Sequence, residues 1–336
     1  MFAGSVDEHV IVSERLRGNP LGDPHERPLW VYTPPGYATG AGRYPVVYVI
    51  QGYTGRIGTW RQGAPWRASY PEMIDALFAS AEVPPALVVF IDAWTRVGGS
   101  QYLDSPGTGD YHSYLCDEVV AFVDERYRTL PEARHRAITG KSSGGYGAMV
   151  TPLLRPDVFG SLATHAGDAL FELSYQPFFP EAARTLRDSY DGDWNAFLSD
   201  FYSGRPAGSK ASDMTLIELY GYAACYSALP DGTVQLPFDD LGVPVQDVWS
   251  RWLALDPVRM VPARAEAARS LHAVWIDAGN ADEYHLDSGA IAYRRALQAA
   301  GLPDSRINFE LFPAKHGAIE YRYPLALRWL APRLAP

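Results

Sequence analysis

The chain has 336 residues and a net charge of −10, with Lys and Arg scattered rather than clustered, which argues against a general nucleic-acid or anionic-membrane binder. Hydrophobic residues at 47% and charged residues at 20% fit a globular protein with a sizeable core, and no window is long and apolar enough for a transmembrane helix. The N-terminus, M-F-A-G-S-V-D-E-H-V-I-V-S, lacks a basic n-region and an apolar h-region, and Cys116 and Cys225 read as unpaired core residues, so a cytoplasmic protein is expected.

In chain order, E-H-V-I-V-S-E and P-L-W-V-Y-T-P read as strands, the second closed by P-P-G-Y. Y-P-V-V-Y-V-I-Q-G and A-L-V-V-F-I-D-A are continuous apolar runs, the pattern of strands buried on both faces of a parallel sheet. Y-L-C-D-E-V-V-A-F-V-D-E-R-Y follows, with Leu115, Val119, Val120 and Val123 at helical spacing. R-A-I-T-G is a short strand, and the residues from Ser143 to Leu154 read as a helix that Arg155-Pro156 ends. S-L-A-T-H-A-G, H-A-V-W-I-D-A-G and I-N-F-E-L-F-P are the remaining strands, and A-I-A-Y-R-R-A-L-Q-A-A-G is an amphipathic helix stopped at Gly301. Strand and helix in alternation predict an α/β, doubly wound, mostly parallel sheet. Residues 168–269 break the rhythm and are rich in aromatics and prolines. They are expected to be an insertion over the C-terminal edge of the sheet, on a core formed by 1–167 and 270–336. Most of its aromatics are expected to form the insertion's own small core.

The stretch I-T-G-K-S-S-G-G-Y-G-A holds both Gly-Lys-Ser, the end of a phosphate loop, and Gly-x-Ser-x-Gly. A phosphate loop requires glycine at position 135, which is His135, and the preceding R-H-R-A-I-T is strand-like, so that reading fails on spacing. A nucleophile elbow, a sharp strand-to-helix turn, requires small residues two before and two after the nucleophile. For Ser142 these are Gly140 and Gly144; for Ser143 one would be Lys141. Ser142 is therefore the candidate nucleophile, and the side chain of Ser143 is expected to be incidental.

A serine hydroxyl needs a base, and the base needs an orienting carboxylate, here in the chain order Ser, acid, His. His316, in the loop P-A-K-H-G after the last strand, is the candidate base, in preference to His165, His272 and His285. Asp282, in the loop G-N-A-D-E-Y after the preceding strand, is the candidate acid. Glu283 is expected to point elsewhere, and Asp168 is the main rival as acid. The loop Q-G-Y-T-G-R after the strand Y-P-V-V-Y-V-I is placed to supply an oxyanion donor, so the backbone N–H groups of Tyr53 and Ser143 form the candidate oxyanion hole. Gln51 stands where a histidine is usual and is free to brace this loop. No H-E-x-x-H or clustered His/Cys spacing occurs, so no metal or organic cofactor is expected.

The pieces Y-V-I-Q-G-Y-T-G, G-S-Q-Y-L-D-S, G-K-S-S-G-G-Y-G-A, G-N-A-D-E-Y and P-A-K-H-G, with the helix Y-L-C-D-E-V-V-A-F-V-D-E-R-Y, resemble one esterase family of α/β-hydrolases. That family includes esterase D (S-formylglutathione hydrolase), the enterochelin esterase-like proteins, feruloyl esterases and the antigen 85 mycolyltransferases. The resemblance implies the α/β-hydrolase fold, Ser142 as nucleophile, Asp282 as acid and His316 as base. It also likens V-G-G-S-Q-Y-L-D-S-P-G-T-G-D-Y to a loop at the active-site mouth, where Gln101, Tyr102 and Tyr111 are candidate substrate contacts. The expected function is a serine carboxylic ester hydrolase acting on a small or aromatic ester, polyester chains included. An acyltransferase using the same acyl-enzyme, a peptidase, and a non-catalytic binding module on this fold are the alternatives.

Overall fold

Alternation within the apolar runs shows why the sheet is covered on both sides. In β3 (Val46–Ile50), Val46, Tyr48 and Ile50 face one core while Val47 and Val49 face another. β4 (Leu87–Ile91) divides in the same way, with Leu87, Val89 and Ile91 against Val88 and Phe90. A strand with two buried faces must be apolar throughout, which is what made these runs continuous in the sequence.

The computed structural model describes residues 2–63, 65–206 and 208–336. β1 (Ser5–Val12) and β2 (Glu26–Thr33) form an antiparallel pair, and β2 joins β4 antiparallel. From there β4, β3, β7 (Arg136–Ser142), β8 (Ser161–Gly167), β9 (Ala273–Gly279) and β10 (Ile307–Phe312) run parallel. The eight-stranded order is β1-β2-β4-β3-β7-β8-β9-β10. β5 (Asp104–Ser105) and β6 (Gly109–Asp110) make a small separate ribbon in the loop after β4. The mostly parallel, doubly wound sheet predicted from the apolar runs is thus present. Among the described residues no helix is long and apolar enough to cross a membrane.

Between β8 and β9 the chain is helical. In the helix Phe179–Tyr190 the buried residues Phe179, Ala182, Ala183, Leu186 and Tyr190 recur at helical spacing and give it an inward stripe. Phe179 packs on Phe238, Trp249 and Trp252, with ring centroids 4.8, 5.2 and 6.2 Å away. Asp256 caps the helix Pro257–Ala263 through the Val258 N–H and also accepts the N–H groups of Leu170 and Phe171. One buried carboxylate therefore ties the far end of this helical region to its beginning.

Candidate active site

β7 ends in a sharp turn, and the helix Ser143–Leu154 starts directly from it. Ser142 occupies the turn at φ 58°, ψ −126°, a sparsely populated conformation for a residue with a side chain. The flanking glycines are a steric requirement. A Cβ on Gly140 would lie 2.3 Å from the Gly144 carbonyl, and one on Gly144 would lie 2.7 Å from the Gln51 carbonyl oxygen. Close approach of β3, the turn and the helix leaves Ser142 at the edge of the sheet, half-buried and lining a cleft.

The loop after β9 places Asp282 with its side chain fully buried, and the loop after β10 places His316 beside it. The His316 Nδ1 lies 2.9 Å from Asp282 Oδ2, while Asp282 Oδ1 accepts the Tyr284 N–H at 2.9 Å. With Nδ1–H donating to the carboxylate, Nε2 is left as an acceptor. Ser142 and His316 line the same cleft. The Tyr284 ring meets the imidazole edge-on, 5.0 Å between centroids. Glu283 does not point away as expected: its Oε2 accepts the His316 backbone N–H at 3.0 Å, so consecutive carboxylates hold ring and backbone of one histidine.

The candidate oxyanion loop crosses close to the elbow. A Cβ on Gly52 would lie 3.4 Å from Ser142 Cβ. Gln51 braces the loop by donating from Nε2 to Thr59 Oγ1 at 3.0 Å and to the Arg56 carbonyl. Thr54 and Gly55 spend their N–H groups on the Gly98 and Gly52 carbonyls, and among the described residues the Tyr53 N–H has no protein acceptor. The Tyr53 ring lines the cleft, and its hydroxyl lies against the carbonyls of Val97 and Ile217, which joins this loop to the helix Asp213–Tyr226.

The cleft has two chambers that meet at Ser142, His316 and Tyr53. One, of about 320 Å³, lies under the helical region and includes Asp168, Tyr175, Phe178, Glu218, Tyr222 and Tyr284 in its wall. The other, of about 310 Å³, contains Lys141 and Glu320, 3.6 Å apart, with Trp60 and Tyr323.

Three expectations need correction. The Ser143 side chain is buried and donates to Asp168 Oδ2 at 3.0 Å, so it fastens the start of the helix to the end of β8. Tyr111 and Tyr102 are packed inside the protein rather than at the mouth. The Tyr111 hydroxyl bonds Arg27, which pairs with Asp92 at 3.2 Å, and the Tyr102 hydroxyl bridges the N–H and carbonyl of Gln51 at 2.7 and 2.8 Å. Gln101 is also buried, with its Nε2 donating to the Tyr226 hydroxyl at 2.7 Å, behind the cleft wall. Among the remaining histidines, His165 is enclosed and pairs with Asp277 at 2.8 Å, and His272 contacts the Arg333 carbonyl.

Glu218 was not singled out in the sequence. It is the one charged residue in the run Leu216–Tyr226, and an acid in so apolar a run was the available signal. Burial pushes its carboxyl up to about 7, against the Tyr222 hydroxyl that donates to it at 2.8 Å. Burial likewise raises Asp168, opposed by hydrogen bonds from Tyr175, Ser143 and Gln101.

A strand-to-helix elbow at the centre of a mostly parallel sheet, with candidate acid and base on later strand ends, defines an α/β-hydrolase fold. The chain belongs to the "Putative esterase" family, whose model matches residues 24–300. It is 23% identical over 172 residues to the Bacillus subtilis protein YbbA, covering 48% of this chain and 62% of that protein. It is 27% identical over 134 residues to an endo-1,4-beta-xylanase/feruloyl esterase of Xylanibacter ruminicola, covering 39% of this chain and 18% of that protein. The match therefore spans less than two thirds of either curated relative. Among solved structures, a ferulic acid esterase superposes with a TM-score of 0.62 at 19% identity, over 99% of this chain and 98% of the other. An S-formylglutathione hydrolase from Agrobacterium tumefaciens gives 0.54 at 20% identity, over 100% and 97%.

Proposed function

We propose that the protein is a serine carboxylic ester hydrolase that works through an acyl-enzyme on a small or aromatic ester. The observation that carries this reading is the Asp282–His316 hydrogen bond in the cleft that also exposes the strained Ser142. Ser142 Oγ attacks the ester carbonyl carbon and gives its proton to His316 Nε2. Asp282 holds the imidazole in the required tautomer and stabilises the imidazolium. The Tyr53 and Ser143 N–H groups receive the oxyanion, the second helped by the positive end of the helix that Ser143 begins. The tetrahedral intermediate collapses, His316 returns the proton to the departing alcohol, and water attacks the acyl-enzyme by the same route reversed. Residues 168–269 act as an insertion that roofs one chamber, on a core of residues 1–167 and 270–336.

Aromatic esters are favoured by the rings of Tyr175, Phe178, Tyr222 and Tyr284 in the cleft wall. The test is a panel of p-nitrophenyl esters of graded acyl length, with feruloyl and polymer-like aromatic esters beside it. Ser142→Ala is expected to lower kcat by at least about a thousandfold while the unfolding midpoint stays put. Undiminished turnover in that variant removes the assignment. Transfer in place of hydrolysis would show as ester product accumulating with rising acceptor alcohol.

A further inference from the structure

The chamber under the helix Asp213–Tyr226 has an unusual charge balance. Asp168 and Glu218 both face it, and among the described residues no lysine or arginine lines its wall. Among the described residues, His316 is the only other titratable group in that wall apart from tyrosines. Asp168 is 3% exposed, and its hydrogen bonds from Ser143, Tyr175 and Gln101 all go to Oδ2. Among the described residues Oδ1 has no partner, so a buried carboxylate presents an unspent acceptor at the chamber wall. Around the two carboxyls stand aromatic rings: Tyr175 and Tyr222 lie 4.6 Å apart between centroids, Tyr53 and Tyr222 5.3 Å, and Phe178 and Tyr284 5.8 Å.

Carboxylates without a basic partner, enclosed by π faces, make an environment that opposes anions and rewards a weakly hydrated organic cation. A neutral hydroxylated ligand could hydrogen-bond the same oxygens, but it would leave their charge uncompensated. Resting on the ester hydrolase reading above, we propose that this chamber selects esters that carry an ammonium group, held between Glu218 and Asp168 and against the tyrosine faces.

A pH dependence follows. The Glu218 carboxyl, pushed up to about 7 by burial, is mostly protonated at pH 6 and mostly ionised at pH 8. A cation favours the ionised form, so its binding strengthens as pH rises through this range and releases a proton near the midpoint. The groups facing Glu218 are Asp168, His316, Tyr53, Tyr222 and Tyr284. The tyrosines are raised by burial and stay neutral throughout. A variant at Glu218 isolates the contribution of this carboxyl.

The test compares choline with its uncharged isostere 3,3-dimethylbutanol, titrated by calorimetry into the full-length wild-type protein, so that the outcome does not depend on turnover. Choline is expected to bind at least about tenfold more tightly at pH 8, with the advantage shrinking at pH 6 and protons released near pH 7. In Glu218→Gln the advantage should fall and lose most of its pH dependence. Acetylcholine against 3,3-dimethylbutyl acetate, and p-nitrophenyl 4-(trimethylammonio)butyrate against p-nitrophenyl 5,5-dimethylhexanoate, then carry the preference into kcat/KM, with the difference residing in KM. Equal binding of the two alcohols, tighter binding of the neutral one, or a wild-type advantage independent of pH overturns the proposal. Loss of all ester turnover with the choline preference intact would instead remove the hydrolase reading and leave the cation site standing.

Discussion

Ser142 and Ser143 are chemically identical neighbours, and their surroundings divide them. Ser142 sits at positive φ with its side chain toward the cleft, while the Ser143 hydroxyl is committed to Asp168 inside the protein. Ser143→Ala should therefore keep turnover within about tenfold but lower stability by about 1–3 kcal/mol, because Asp168 loses a buried donor. Urea unfolding beside steady-state kinetics separates the two effects. Asp282→Asn retains the shape of the acid but favours the wrong imidazole tautomer, and kcat is expected to drop by about 10^3 to 10^4 with little change in KM. A variant that keeps wild-type kcat would point to Asp168 as the orienting acid instead.

At the level of elements, the turn between β7 and the helix after it depends on backbones in contact. Gly144→Ala puts a methyl group 2.7 Å from the Gln51 carbonyl, which cannot move without breaking β3 from β7. Soluble yield and thermal midpoint should both fall well below those of Ser142→Ala. Below the cleft, Asp277 on β9 receives His165, the Trp275 indole and Arg322 at 2.8, 2.7 and 2.8 Å, joining three parts of the fold in one buried network. Burial alone would raise this carboxyl, but these partners together hold it below its ordinary 3.8. A depressed carboxyl stabilises the folded state above the unfolded value and loses that contribution as pH falls through the folded one. Asp277→Ala is expected to cost about 3–5 kcal/mol at pH 7, and the gap to wild type should narrow only below pH 3.8, as denaturant titrations across pH would measure.

Over the whole molecule, the charge of −10 surrounds a chamber beside Ser142 whose own wall carries two carboxyls. The field of such a surface repels anionic esters at low ionic strength and is screened over about 8 Å at physiological salt. For a matched pair of esters, kcat/KM of the anionic one should rise when NaCl is increased from 20 to 500 mM, while that of a neutral one should stay within about twofold.

What the sequence determined by itself was whatever local backbone chemistry requires. Apolar runs had to be doubly covered strands, and glycines at 140 and 144 could only mean a crowded turn with Ser142 at its centre. The loops bearing Asp282 and His316 were readable because each follows its own strand end. Contacts between distant segments had no such local signature. Tyr102 and Tyr111 look like mouth residues in a glycine-rich loop, yet the fold turns them inward onto Gln51 and Arg27. Glu283 reaches the His316 backbone across 33 positions, and Ser143 meets Asp168 across 25. The chamber around Glu218 arises only when the helix Asp213–Tyr226 is laid over the end of the sheet, because burial, unlike strand pattern, is a property of what the rest of the chain places around a residue.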